Sequence, residues 1–369
     1  MKILYVTTIS NTVNAFLIPH IRMLIEQGHQ VDVAFNIVQE VDSEIIEMGC
    51  AFHNLEFDRS PLNKRNYLAY KKLKKLIRDE KYDLVHTHTP VASACVRLAC
   101  KEFKNVKVIY TAHGFHFFNG APLKNWLIYY PVERWLAKYT DVLITINKED
   151  YARAKKSFKA KKVGYTPGVG LDTQKFGAVF VDNLAKRREI GIPEDAFVVL
   201  SVGELNKNKN HETVIRALSK VNNRNVYYII CGQGPLENYL RDIVSELGLE
   251  RQVKLLGFRK DIDKICKASD VFVFPSKREG LGLAALEAMA SGLPIITSNV
   301  HGIVDYSVDG ETGYLFSPTD EIGFAKAIER LVNNDELRIN MGERNIDSVK
   351  NFDIKNSIDK MMEIYGVDV

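Results

Sequence analysis

FPSKREGLGLAALEAMASGLP, Phe274–Pro294, is the stretch on which the reading of this chain turns. It begins at the end of an apolar strand, Val271–Phe274, and passes through a loop, Pro275–Gly282, that carries Glu279, Gly280 and Gly282. A short helix is expected over roughly Leu283–Ala290, stopped by Gly292 and followed by Pro294. That helix is apolar nearly all round (Leu283, Ala284, Ala285, Leu286, Ala288, Met289, Ala290). A helix without a polar face is normally buried. Its one charge is Glu287, and burying a carboxylate is costly unless something pairs with it.

The spacing suits a nucleotide. Gly280 and Gly282 let backbone N–H groups approach an anion where the loop enters the helix. The helix N-terminus adds about half a positive charge. A diphosphate site is therefore expected there, served by the backbone of Gly280, Leu281, Gly282 and Leu283. Glu287 stands about 7–8 Å further on, at about 1.5 Å per residue, which suits a carboxylate gripping two ribose hydroxyls. Glu279, on the loop, is placed for a hydroxyl of a sugar beyond the phosphates. The plainer alternative is a strand–loop–helix joint whose Glu287 pairs with a core Arg or Lys.

With Glu279 and Glu287 separated by seven residues, EGLGLAALEAMASGLPII resembles the nucleotide-sugar motif of retaining family 4 glycosyltransferases. The resemblance covers essentially the whole chain. It implies an α/β architecture of the GT-B type, two Rossmann-like doubly wound domains facing a cleft. The implied domains are an acceptor-binding one over 1–170 and a nucleotide-sugar-binding one over 171–350. A last helix within 351–369 would cross back to the first domain.

Composition agrees with two full-sized domains. The chain has 369 residues, of which 46% are hydrophobic and 26% charged, a balance that argues against disorder. Cys50, Cys95, Cys100, Cys231 and Cys266 form no CxxC pair and no metal spacing, as expected of buried thiols in a reducing cytoplasm. Met1-Lys2 leads straight into an apolar strand, so no signal peptide is expected. No run reaches about 18 apolar residues, so no spanning segment is expected. Net charge is +4 but uneven: residues 1–172 hold 25 Lys and Arg against 17 Asp and Glu, and the remainder holds 25 against 29. A basic half suggests an anionic partner.

Strand and helix patterns alternate along both halves, which argues for parallel sheets wound on both faces. Strands are expected at Lys2–Thr8, Val31–Phe35, Asp83–Thr87, Val106–Thr111 and Val142–Ile146, then Phe197–Val202, Val226–Cys231, Val253–Leu256, Val271–Phe274 and Pro294–Thr297. The first long helix is expected at Asn14–Gln27, ended by Gly28. PGVGLDTQKF, Pro167–Phe176, reads as the interdomain bend. Ligands in such sheets gather at the carboxyl ends of the strands.

Several other segments bear on chemistry. GELNKNKNHE, Gly203–Glu212, follows a strand, and Lys207 and Lys209 are candidates to meet a phosphate there. The resemblance places a lysine at Lys209 but an arginine where Glu204 stands, a departure that Lys207 or Arg278 would have to cover. Gly257 and Phe258, in GFRKD, match a loop that touches the nucleobase in the family. In YTAHGFHFF, Tyr110–Phe118, His113 matches a histidine near the reacting centre. His86 and His88 are read as facing opposite sides of a strand, and no metal is expected. TTISNTVN, Thr7–Asn14, is read as the loop after the first strand and lacks the glycine pair of many family members, so acceptor contacts there would fall to Ser10, Asn11 and Thr12. The missing glycines also argue against a dinucleotide-binding dehydrogenase.

Two stretches suggest a membrane surface. KRNYLAYKKLKKLIRDEK, Lys64–Lys81, sets eight basic against two acidic residues around Tyr67, Leu68, Leu73, Leu76 and Ile77. Phe115–Trp135 is rich in aromatic residues, and basic amphipathic helices with aromatic belts sit at lipid headgroups. The alternative is a solvated helix beside an aromatic core.

The function expected is transfer of a hexose or N-acetylhexosamine from a nucleotide-diphospho-sugar, most simply UDP-linked, to a lipid-linked glycan in surface polysaccharide or glycoprotein glycan synthesis. FHFFNGAPLKNW and NKNKNHE are similar to segments of enzymes that extend undecaprenyl-diphosphate-linked sugars. The resemblance assigns His113, Glu279 and Lys209 to catalysis, with no cofactor beyond the donor. Localisation is expected to be cytoplasmic, peripherally on the inner face of the membrane, with no nucleic-acid partner. The rivals are a GT-B nucleotide-sugar epimerase and a non-enzymatic basic membrane-binding module.

Overall fold

In the computed structural model, which describes residues 1–366, the chain divides into two compact units. One runs from Met1 to Gly170 and resumes at Ile354; the other is Leu171–Asp353. Each is built on one parallel sheet.

The first sheet has seven strands: β1 (Lys2–Ile9), β2 (Gln30–Asn36), β3 (Phe52–Asn54), β4 (Leu84–His88), β5 (Lys107–Ala112), β6 (Val142–Thr145) and β7 (Lys162–Tyr165). Their spatial order is β3-β2-β1-β4-β5-β6-β7. Tyr5 pairs with Val33 on one side and with His86 on the other. The order reverses between β1 and β4, so a crevice opens at their carboxyl ends. The second sheet has six strands: β8 (Phe197–Val202), β9 (Val226–Cys231), β10 (Val253–Gly257), β11 (Val271–Phe274), β12 (Ile295–Ser298) and β13 (Gly313–Phe316). They lie in the order β10-β9-β8-β11-β12-β13, and the reversal falls between β8 and β11. β3, β7 and β13 escape the sequence pattern because they are short edge strands, with one face of packing and little alternation to show.

The central strands are buried on both faces, which is why they read as continuous apolar runs. Val199, Val214, Ile230, Val273, Phe324 and Ile328 fill one side of the second sheet. In the first unit Leu4, Val6, Leu73, Ile77, Val85 and Val96 do the same. The helix Ile354–Tyr365 seals the other face, where Tyr365 hydrogen-bonds Tyr5 at 2.6 Å.

Two expectations change here. The segment after β1 is not a loop: Ser10–Thr12 is already helical, a π-turn follows over Val13–Leu17, and a helix resumes over Ile18–Glu26. Pro19 has no N–H to continue an α-helical ladder across that joint. The proposed membrane face is also redistributed. In the helix Arg65–Glu80, Leu73 and Ile77 are buried in the core, and only Tyr67 and Leu68 remain exposed among the large apolar residues. Phe115, Phe117 and Phe118 are buried as well. The exposed apolar face belongs to the helix Leu123–Leu136, where Leu123, Leu127, Ile128, Val132 and Trp135 all face outward. Among the described residues no helix is long and apolar enough to cross a membrane.

Candidate active site

In the second unit the crevice is framed by the loops after β8 and β11. Three asparagines shape the first of these. Asn206 Oδ1 accepts from the N–H groups of Asn208 and Lys209, each at 2.9 Å. Asn208 Nδ2 donates to Arg278 O at 2.9 Å, and Lys277 N–H donates to Asn208 O at 2.8 Å, which ties the two loops together. Asn210 adopts a left-handed backbone and donates to Pro275 O and Pro318 O at 3.0 and 2.7 Å. Asparagine tolerates that conformation better than most residues.

This scaffold brings two expected residues into direct contact. Lys209 Nζ meets Glu279 Oε1 at 2.6 Å and lies 4.9 Å from the centre of the Phe274 ring. Glu204, at the position where arginine was expected, accepts from Asn206 Nδ2 at 2.9 Å. Lys207 is exposed and lines a hollow with Lys277 and Tyr239 to which neither Lys209 nor Glu279 contributes.

The helix Leu283–Ala290 starts at Gly282, whose φ is 94°. A Cβ there would stand 2.5 Å from the Phe274 ring and 3.1 Å from Tyr306 Oη. Glycine is thus required both for the left-handed turn and for the space. Leu281 is buried and anchors the loop, while Gly280 lies beside it on the partly open side. Tyr306 Oη and Ser276 Oγ are buried beneath the loop with no protein hydrogen-bond partner among the described residues. Buried hydroxyls are normally paired, and no sequence pattern singles these two out.

Glu287 lies on the same helix. No hydrogen bond or ion pair to a protein group meets its carboxylate among the described residues, so the core Arg or Lys of the plainer reading is not there. Burial pushes the carboxyl up to about 7, against a small opposing pull from Lys175. An unpaired, desolvated carboxylate on an apolar helix is an expensive arrangement. Gly257 ends β10 with φ 69°, and its carbonyl accepts from Gly232 N–H at 2.8 Å. Phe258, next in the chain, is 66% exposed and offers a free aromatic face.

In the first unit His113 follows β5 and belongs to a histidine cluster. His88 Nδ1 and His113 Nε2 are 3.0 Å apart, and the His86 and His88 rings are centred 4.3 Å apart. His86 and His88 therefore share a face, contrary to the sequence reading, because side chains two apart on a strand point the same way. His86 bonds Thr111 Oγ1 at 2.8 Å and, through its other nitrogen, Tyr365 Oη. Burial drives His113 down to about 4 and holds His86 and His88 well below their usual range. His113 is thus a neutral hydrogen-bonding group near pH 7 rather than a cation.

Ser10 is fully buried; its Oγ donates to Gln39 O and accepts from Gln39 N–H. It holds the loop after β2. Among the described residues no protein group bonds the buried Asn11 Oδ1, and Thr12 lines a cavity at the β1/β4 crevice.

Comparison with known proteins bears on family and fold. The family model "Glycosyl transferases group 1" matches residues 182–347, and "Glycosyl transferase 4-like" matches 2–147. EpsD of Bacillus subtilis (strain 168), which carries a provisional glycosyltransferase name, is 36% identical over 377 residues, spanning 99% of this chain and 96% of its own. An Escherichia coli protein named UDP-Gal:alpha-D-GlcNAc-diphosphoundecaprenol alpha-1,3-galactosyltransferase is 33% identical over 300 residues, 79% of this chain and 77% of that one. Among solved structures, Anabaena HepE in complex with UDP and glucose superposes with a TM-score of 0.82 at 19% identity, covering 99% of both chains, a likeness of fold. Two parallel-sheet Rossmann-like units, family matches over both, and a near full-length relative together establish that the chain belongs to the family 4 glycosyltransferases and has the GT-B fold.

Proposed function

We propose that this protein is a retaining hexosyltransferase that moves a hexose or N-acetylhexosamine from a UDP-sugar to a diphosphate-linked glycolipid. The observation that carries the reading is the pair of acidic residues about the helix Leu283–Ala290. Glu287 sits largely desolvated without a protein partner among the described residues, and Glu279 is already paired with a cation on the facing loop. In this reading Glu287 takes the ribose hydroxyls, and the N–H groups of Gly280–Leu283 with the helix dipole take the diphosphate. Lys209, released in part from Glu279, adds the positive charge. Glu279 then accepts from a hydroxyl of the sugar, and Phe258 covers the base.

Chemistry follows from position. Charge grows on the leaving diphosphate as the glycosidic bond breaks, and preorganised donors at that place lower the barrier. With both substrates held on one face, the departing diphosphate takes the acceptor's proton, and the anomeric configuration is kept. The first unit holds the acceptor, with neutral His113 as a hydrogen-bonding group and Thr12 at the crevice. The E. coli relative named above supports a UDP donor and a diphosphoundecaprenol acceptor.

A membrane-borne acceptor requires the enzyme to come to the bilayer. The outward apolar face of Leu123–Leu136, flanked by exposed Lys124, Arg134 and Lys138, has the composition of an interfacial helix. It supports peripheral binding to the anionic cytoplasmic leaflet. The test is transfer from a panel of UDP- and GDP-sugars to a diphosphate-linked glycolipid, with the anomer read by NMR. Turnover of a UDP-sugar with retention is expected. Inversion, or use of GDP-sugars alone, overturns the reading.

A further inference from the structure

We propose that the cavity at the β1/β4 crevice of the first unit binds the diphosphate-proximal isoprene units of a polyprenyl diphosphate, with Arg59 at its mouth holding the phosphate. This rests on the lipid-linked acceptor proposed above and assigns the part of the protein that recognises the lipid.

The cavity measures about 490 Å³, within the range of about 300–1,000 Å³ usual for ligand pockets. Its walls are mainly apolar: Pro90, Ala94, Phe117, Val132 and Leu136 among others. Glu133 reaches it too, but its carboxylate is tied to Arg97 by bonds of 2.8 and 3.1 Å, and Arg97 is wholly buried. The wall charge is therefore neutralised within the protein; the neutral polar groups of the lining are Thr8, Thr12, Thr89, Tyr110, His116 and Tyr129, of which Thr8 and Thr89 already bond each other at 2.7 Å. At the mouth the balance reverses. Arg59 is exposed and makes no ion pair with the protein among the described residues. The lining also includes Thr89, Pro90 and Val91, the N-terminal end of the helix Pro90–Cys100, which adds partial positive charge. Thr89 itself is held at φ 68°, a strained backbone for a β-branched residue.

A mainly apolar pocket whose rim carries Arg59, unpaired among the described residues, fits an amphiphile with an anionic head. Val132 belongs both to the cavity wall and to the exposed apolar face of Leu123–Leu136. The rest of a long lipid chain thus has a continuous apolar path out of the pocket.

Farnesyl diphosphate is the probe, titrated into the full chain with saturating UDP to keep the probe's diphosphate away from the second unit. Farnesol and inorganic diphosphate serve as comparison arms. Farnesyl diphosphate should bind at least about tenfold more tightly than either arm. Arg59→Gln should weaken it by about tenfold, the ratio for one charge-assisted hydrogen bond, and leave farnesol unmoved. Ala94→Trp should weaken both prenyl ligands; circular dichroism and thermal melts report whether the first unit of each variant is folded. In transfer assays the same variants should raise KM for a polyprenyl-linked acceptor more than for one on a short alkyl chain. Farnesyl diphosphate binding no tighter than inorganic diphosphate, or indifferent to both substitutions, overturns the proposal. Prenyl binding without any sugar transfer would leave the cavity assignment standing and sink the proposed function instead.

Discussion

Replacing Glu287 with glutamine should make the ligand-free protein more stable and the enzyme worse. The carboxyl titrates at about 7 in the folded chain against 4.5 ordinarily, because burial disfavours its charge. Below pH 4.5 it is neutral in both folded and unfolded states. As pH rises towards 7 the unfolded chain ionises first, so folding stability falls, and above 7 the full penalty applies. At about 1.4 kcal/mol per tenfold the penalty is about 3 kcal/mol, and about 2–3 kcal/mol allowing for the partly open side of the residue. For a unit of this size that corresponds to about 4–12 °C in the melting of the second unit. Glutamine keeps the shape without the charge, so the variant should melt higher at pH 8 and about equally at pH 4.5. UDP affinity should fall roughly 10- to 150-fold, the loss of charge-assisted bonds to the ribose of about 1.5–3 kcal/mol. Wild-type affinity should in turn rise between pH 6 and 8, as the carboxylate form that binds becomes the resting one. Calorimetric titration with UDP and thermal melts across pH measure both effects. Unchanged UDP affinity in a folded variant would refute the ribose clamp. A variant less stable than wild type at pH 8 would show that the carboxylate has a partner in solution.

Glu279→Gln should lower turnover of the intact donor while UDP binds as well or slightly better, because the substitution frees Lys209 from its 2.6 Å ion pair; equal losses for UDP and UDP-sugar would contradict this. Gly282→Ala should abolish turnover or destabilise the second unit, since the new methyl meets the Phe274 ring at 2.5 Å; near-normal activity and melting would show that the loop has room to move. Activity should persist in excess chelator, as the charges assigned to the diphosphate come from Lys209 and a helix end; complete loss restored by magnesium or manganese would sink that assignment. Leu127→Gln with Ile128→Gln should abolish sedimentation with anionic liposomes. Changing Lys71, Lys72 and Lys75 to Gln should remove only its salt-sensitive part. Lys74 is left out because it is paired with Glu102 at 2.6 Å. Sedimentation that ignores the apolar pair but vanishes with the lysines would return the docking face to Arg65–Glu80.

The sequence alone was sufficient for the features governed by local pattern. Apolar runs bounded by turn residues located the central strands of both sheets, because strands buried on both faces need no alternation. The placement of Glu279, Gly282 and Glu287 about one short helix was legible too, because a helix fixes spacing along its axis. What depends on the partner across space was not legible. The meeting of Lys209 with Glu279 joins residues 70 apart and is set by the order of β8 and β11 in the sheet. Ser10 reads as a free hydroxyl but is consumed by the loop after β2. The basic helix Arg65–Glu80 and the helix Leu123–Leu136 both carry apolar residues, and only packing decides which set faces the core. In the first, Leu73 and Ile77 are buried in the core; in the second, Leu127 and Ile128 stay exposed. Amphipathic pattern says that a helix has an apolar face, and the tertiary structure decides whether that face is already spent.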